Sequence, residues 1–423
     1  MDNEKFVQAF NIAKERYAEL GVDVDAALEN LSQISLSIHC WQGDDVGGFE
    51  RPDSGLSGGG IQVTGNYPGK ARNVDELRMD LKQVYSLIPG KHRLNLHAIY
   101  GDFGGKYVDR DQIAPEHFKG WIEWAKENDL KIDFNSTCFS HPMAHSGFTL
   151  SSKDKSIRDF WIEHVKKARE ISAFIGKEQN GPCIHNLWIP DGSKDIPIDR
   201  FGHRKLLKES LDEIFEVEYD KSEIKDALES KLFGIGSEAF VVGSHEFYLG
   251  YALTHGKMIC LDLGHFHPTE LVADKISSIL QFSDELMLHV SRGVRWDSDH
   301  VVILNDDIRY LCEEIVRSGN INNIHIGLDY FDATMNRIGA WTIGARATLK
   351  GLLIAFLEPT EKLKEYEENG DNFARLALLE ELKTMPFGSI WDYYCQKMMN
   401  VPLNRYIIDN IHDYEKRLTN KRN

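Results

Sequence analysis

Short apolar stretches rich in β-branched residues recur along the chain. Each is followed by a longer stretch in which apolar residues return every three or four positions. The first spacing predicts strands buried on both faces, and the second predicts amphipathic helices. Strands are predicted at Ile34–His39, Leu94–Ala98, Lys131–Asn135, Ile184–Ile189, Ile224–Glu229, Met258–Leu263, Leu286–Val290 and Ile324–Leu328. Successive starts lie 28 to 60 residues apart, room for a crossover helix each time. Helices are predicted at Asp75–Leu87, Pro115–Glu127, Ser156–Phe174, Arg204–Glu216, Pro268–Gln281, Asp307–Ser318 and Thr334–Leu357. Eight strand–helix alternations predict an α/β fold, a (β/α)8 TIM barrel. The fifth run, Ile224-Lys-Asp-Ala-Leu-Glu229, has modest β propensity and also suits a helix.

Two regions fall outside this alternation. Residues 1–30 read as one amphipathic N-terminal helix packed across the barrel. Beyond Pro359 the pattern turns helical and charged, over Glu361–Lys383 and Trp391–Lys421. The expected organisation is a barrel over residues 1–358 and a C-terminal α-helical extension over 359–423. Such an arm either wraps a neighbouring subunit or lies solvated on the surface. Residues 42–72 form a loop rich in Gly, Asp and Pro, long enough to suggest a functional lid or binding loop.

Composition narrows the choice of partner. Of 423 residues, 42% are hydrophobic and 27% charged, ordinary for a globular protein, but the net charge is −17. That balance argues against nucleic acid, whose binders carry a basic footprint, and suits a neutral substrate. The six cysteines are scattered without a CxxC pair, as expected of reduced thiols in a reducing compartment. Met-Asp-Asn-Glu-Lys carries no basic and apolar leader pattern, and no apolar run approaches the ~18–20 residues that span a bilayer. A cytoplasmic protein without a membrane partner is the expectation. The clusters Gly58–Gly60 and Gly65–Lys70 lack the GxxxxGK[ST] and GxGxxG contexts, so no nucleotide cofactor is expected. No GxSxG or papain-like cysteine setting offers a nucleophile.

Chemistry instead gathers at the C-terminal ends of the predicted strands: His97, Asn135, Trp188, Glu229, Lys231, Asp262, His265, His289 and Asp329. In a barrel those ends share one mouth. Asp297 and Asp299 follow His289 as an Asp-x-Asp pair whose alternate residues share a face of an extended segment. Two unit charges at ~4 Å repel by about 1–4 kcal/mol at the dielectrics of water and a protein surface. Five converging carboxylates therefore call for cations, and two divalent ions with the Lys231 ammonium would balance them. The mixed oxygen and nitrogen set suits ions such as Mn²⁺.

Each residue also has a purely structural reading. His265 or His267 can cap the helix expected at Pro268, with His267 the nearer to it. Asp297-Ser-Asp299 can be a solvated acidic turn, although Trp296 and Val301–Leu304 around it look packed. Glu229 and Lys231 can form a surface ion pair, worth under ~1 kcal/mol. Asp329 can cap a helix, His97 can be a satisfied core histidine, and Trp188 can be a core aromatic or a ring stacked on a sugar.

The segments 40–50 (Cys-Trp-Gln-Gly-Asp-Asp-Val-Gly-Gly-Phe-Glu), 64–71, 94–100 and 229–236 resemble L-rhamnose isomerases. So do 263–270, 289–292, 294–302 and 325–329, and the likeness runs through nearly the whole chain. The resemblance implies a xylose-isomerase-like barrel, a homotetramer, and Mn²⁺-dependent interconversion of L-rhamnose and L-rhamnulose. It implies one structural metal on Glu229, Asp262, His289 and Asp329, and a second, catalytic metal on His265, Asp297 and Asp299. Co²⁺ or Zn²⁺ are the expected substitutes. Lys231, His97 and Trp188 match substrate-contacting positions. The expected chemistry is a hydride shift in which Asp297 accepts a proton, Lys231 stabilises charge on O1 and His97 assists ring opening. Two rivals remain at this level: a metal-dependent hydrolase or endonuclease, and a non-catalytic sugar-binding protein.

Overall fold

Successive residues of each barrel strand face alternately inward and toward the helices, and this alternation positions the site. The computed structural model describes residues 3–50, 63–232, 239–294 and 299–422. Eight parallel strands close into a barrel in chain order: β1 (Ser37–His39), β2 (Arg93–His97), β3 (Lys131–Thr137), β4 (Cys183–Trp188), β5 (Ile224–Glu229), β6 (Met258–Asp262), β7 (Leu286–Val290) and β8 (Ile324–Leu328). The fifth run, ambiguous as a sequence, is a strand over the residues expected of it. Burial between β4 and β6 on both faces outweighs its modest propensity.

Helices α1 (Asn3–Ala18), α2 (Val24–Ser32), α3 (Val74–Tyr85), α4 (Lys119–Glu127), α5 (Lys155–Glu178) and α6 (Arg200–Ile214) precede β5. Helices α7 (His245–His255), α8 (Ala273–Ile279), α9 (Asp306–Arg317) and α10 (Arg337–Phe356) alternate with the later strands or follow them. The extension holds α11 (Thr360–Glu368), α12 (Asn372–Leu382), α13 (Phe387–Tyr393) and α14 (Asn404–Arg417). A two-residue antiparallel pairing of Gly192–Ser193 with Phe240–Val241 joins the loops after β4 and β5. Among the described residues no single helix is long and apolar enough to cross a membrane.

Three expectations are corrected. The N-terminal segment is two helices, because Gly21 turns the chain at φ +84° and Asp23 caps α2 by accepting from Ala26 N–H at 3.1 Å. Helix α8 starts at Ala273 instead of Pro268. There the His267 Nδ1 accepts from Thr269 N–H, and the Glu270 carboxylate accepts from His267 N–H, so side chains compete with the first helical turn. Helix α7 was not expected; its tyrosines and phenylalanine surround the axis and leave no polar stripe to mark a period.

Period-two alternation sorts the barrel interior into layers. Ile184, Ala227, Met258, Cys260 and Met287 form a small apolar cluster inside the barrel. Two residues further along their strands stand Asn186, Glu229, Asp262 and His289, one step nearer the mouth. The intervening Leu228, Leu261 and Leu288, with Leu187 just beyond Asn186, belong to the larger core, packed under the helices. Strand register then sets Trp188 beside Glu229, Asp262 beside His289, and His97 beside Asn135 beside Asn186.

Candidate metal centre

Four ligand-bearing side chains meet at the C-terminal mouth of β5–β8. Glu229, Asp262, His289 and Asp329 each bring a donor atom within 4.8 Å of the others. His289 Nδ1 lies 3.2 Å from Glu229 Oε2, 3.2 Å from Asp329 Oδ2 and 4.0 Å from Asp262 Oδ2. The first three residues are buried and Asp329 is half-buried. Outer contacts hold the carboxylates: Trp41 Nε1 donates to Asp329 Oδ1 at 2.9 Å, and Ser291 Oγ to Asp262 Oδ1 at 2.9 Å. Gly264 N–H donates to the same Asp262 oxygen at 2.6 Å, and Asn186 Nδ2 donates to Glu229 Oε2.

The electrostatics of this quartet call for positive charge. Burial pushes Asp262 up to about 7, helped by the charges of Asp329 and Glu229. Burial also opposes the charge on Glu229, yet His289 and His265 hold it well below the usual carboxylate range. Two neighbouring carboxylates thus divide, one keeping its charge and the other driven toward its proton. Burial works against charging His289, but Cys260, Glu229 and Asp329 push its pKa well above the imidazole value. Asp262 Oδ2 and both nitrogens of His289 are buried without a well-aligned hydrogen-bond partner. Three oxygen donors and one nitrogen around such orphaned atoms fit a divalent cation of hard to borderline character.

The second expected ligand group is partly described. His265 Nδ1 lies 2.8 Å from the Ser230 carbonyl, which can only accept, so Nδ1 carries a proton. The same Nδ1 is 3.1 Å from Glu229 Oε1. Asp299 stands half-buried in a left-handed backbone conformation, φ +45°, and lines the same cavity. Asp297 lies outside the described residues. His267 does not line the cavity and is bonded to Thr269 Oγ1 at 2.7 Å.

The cavity in front of the quartet encloses about 580 Å³, part of it open to solvent. The Trp188 ring stacks on His265 at 5.8 Å, and the Lys231 ammonium stands 5.0 Å from the Trp188 ring centre. His97 lies on the other side of the mouth, edge-on to Phe139 and Trp41. Sequence reading had assigned no site role to Trp41, Thr137, Phe139 or Asn186, all of which line this cavity. Trp41 was visible only as part of the Cys40–Glu50 block. Asn186 could have been found by counting two residues back from Trp188 on an alternating strand.

A closed parallel barrel with a buried carboxylate–imidazole quartet at its C-terminal mouth defines an α/β-barrel protein with a candidate metal site. Comparison with known proteins narrows the class. The family model for L-rhamnose isomerase (RhaA) matches residues 4–422. The L-rhamnose isomerase of Bacteroides thetaiotaomicron is 57% identical over 423 residues, covering all of both chains. Those of Rhodopirellula baltica and Salmonella paratyphi B are each 54% identical over 415 residues, covering 98% of this chain and 96% and 98% of theirs. The chain belongs to the L-rhamnose isomerase family.

Proposed function

We propose that this protein interconverts L-rhamnose and L-rhamnulose, an aldose–ketose isomerisation that opens L-rhamnose catabolism in the cytoplasm. The observation that carries this reading is the Glu229, Asp262, His289, Asp329 quartet facing a sugar-sized cavity in a chain of this family. Glu229, Asp262, His289 and Asp329 would hold a structural divalent ion, and His265, Asp297 and Asp299 a catalytic one. Mn²⁺ is the preferred ion, with Co²⁺ or Zn²⁺ as substitutes. When bound, such ions supply the Lewis acidity that polarises the sugar oxygens O1 and O2. Lys231 stabilises negative charge on O1. Trp188 gives the sugar an apolar face, and Phe139 and Trp41 keep water away from the reacting carbons. Asp297 accepts a proton as it moves between O1 and O2. His97 assists ring opening, and the hydrogen passes directly from C2 to C1. The working unit is a homotetramer; Phe373 and Leu376, exposed on α12, are apolar surface that an assembly would cover.

A ketose assay on L-rhamnose tests the reading. Product forms with Mn²⁺, disappears with EDTA and returns on adding Mn²⁺. Sugar affinity indifferent to EDTA, without turnover, would identify a binding protein instead. In D₂O the ketose gains no deuterium at C1 if the hydrogen migrates directly; solvent deuterium there establishes an enediol and a protein base. Asp297→Asn should abolish turnover while the first ion stays bound, and Glu229→Gln should release that ion. Near-normal rates in both variants overturn the site assignment.

A further inference from the structure

Hydrogen-bond directions at the ends of β2 and β3 single out a residue with no role so far. Ile99 N–H donates to His97 Nδ1 at 3.2 Å. A ring nitrogen that accepts carries no proton, so the neutral imidazole bears its proton on Nε2. Burial, reinforced by the nearby Arg110 charge, holds the His97 pKa well below its ordinary value, in keeping with that neutral form. Nε2 lies 3.0 Å from Thr137 Oγ1, so the imidazole donates and the hydroxyl accepts. The Thr137 hydroxyl must then give its own proton elsewhere. Among the described residues no protein group accepts it, and the side chain lines the cavity.

The strand holding Thr137 is firmly set. Arg110 donates to the carbonyls of Thr137 at 3.3 Å and Phe139 at 2.5 Å, and its guanidinium pairs with buried Glu50 at 2.9 Å. Around the barrel β3 stands diametrically opposite β7, which carries His289, and β2 stands opposite β6, which carries Asp262. A sugar whose C1–C2 end lies against the quartet therefore turns its other end toward Thr137.

We propose that Thr137 is a specificity-determining substrate contact whose hydroxyl donates to an oxygen carried on C4 or C5 of the bound aldose. The inference rests on the isomerase reading and deepens it: His97 positions the hydroxyl, and its help in ring opening reaches the sugar through Thr137. No proton is transferred along this chain, because it begins at a main-chain amide that keeps its hydrogen.

The test compares Thr137→Val and Thr137→Ser with the unaltered protein, all loaded with Mn²⁺, on L-rhamnose and on glyceraldehyde, a triose without C4 or C5. The valine variant should lose about five- to tenfold in kcat/KM on L-rhamnose, the scale of one neutral hydrogen bond. Triose turnover and Mn²⁺ affinity should not change, and serine should restore L-rhamnose turnover to within about twofold. The proposal is overturned if valine leaves kcat/KM on L-rhamnose intact, if serine fails to rescue it, or if both aldoses lose equally. An unaltered protein that does not isomerise L-rhamnose overturns the isomerase reading itself, a result distinguishable from all of these.

Discussion

Trp41 Nε1 ties β1's end to Asp329 by one 2.9 Å hydrogen bond, and so fixes which oxygen that carboxylate turns toward the quartet. Partners that orient ligands commonly change metal affinity by about 10–100-fold when removed. Trp41→Phe, which keeps the ring and deletes the N–H, should weaken Mn²⁺ binding about tenfold by titration; an unchanged affinity would show Asp329 to be held by other means. Asp44 yields a pH signature. Its buried carboxyl accepts from Tyr100 O–H at 2.6 Å and Gly48 N–H at 2.7 Å, yet burial pushes it up to about 7 from an ordinary 3.8. Between those values the folded protein binds the proton and the unfolded chain does not. Folding stability therefore falls as pH rises from about 4 to about 7. Asp44→Asn removes this dependence, so its stability relative to the unaltered protein should climb over that window in urea titrations. A pH-independent difference would refute the assignment. At this scale residue types were legible and their protonation was not. His97, His265 and His289 look alike in sequence, whereas burial lowers the pKa of His97, Cys260, Glu229 and Asp329 raise that of His289, and a carbonyl orients His265.

On the outer face of β5, Asp226 receives Arg169 at 3.1 Å, His185 at 2.9 Å and Lys257 at 3.3 Å, joining α5, β4, β5 and the start of β6. Burial opposes its charge, but the His185 hydrogen bond and Arg169 hold its pKa far below the carboxylate range. Asp226→Asn would strand the buried Arg169 guanidinium and should cost about 3–5 kcal/mol in chemical denaturation, with Mn²⁺ affinity of the folded protein unchanged. A loss under ~1 kcal/mol would mean that water reaches the arginine. Elements were legible where burial imposes a period. Seven of the eight strands stood out as short apolar runs, whereas the fifth, Ile224–Glu229, carries polar residues and suited a helix equally until burial on both faces decided it. Element ends were harder: the break at Gly21–Asp23 carried readable caps, but α8 was shortened by side-chain bonds no period reveals.

Across the whole molecule the C-terminal extension braces α3 and the chain just before it. Arg422 pairs with buried Asp80 at 2.6 and 2.8 Å, Tyr414 O–H donates to the same carboxylate at 2.7 Å, and Arg422 reaches the Gly69 carbonyl at 3.2 Å. Arg337 of α10 clamps that stretch from the other side, donating to the Tyr67 carbonyl at 2.8 Å and pairing with Asp45. The end of the extension is thus tied to its own chain. Arg422→Ala leaves Asp80 buried beside no guanidinium and should lower stability by about 3 kcal/mol, read as a shifted denaturation midpoint. An unmoved midpoint would make the tail dispensable. Sequence alone determined the barrel and named the acids and imidazoles expected at its mouth, because burial period and chain order are local properties. Only the tertiary structure decided which of those groups stand within 4.8 Å, which carry protons, and which neighbours hold them. Those outcomes depend on strand register and on the field of residues hundreds of positions apart, which no local pattern encodes.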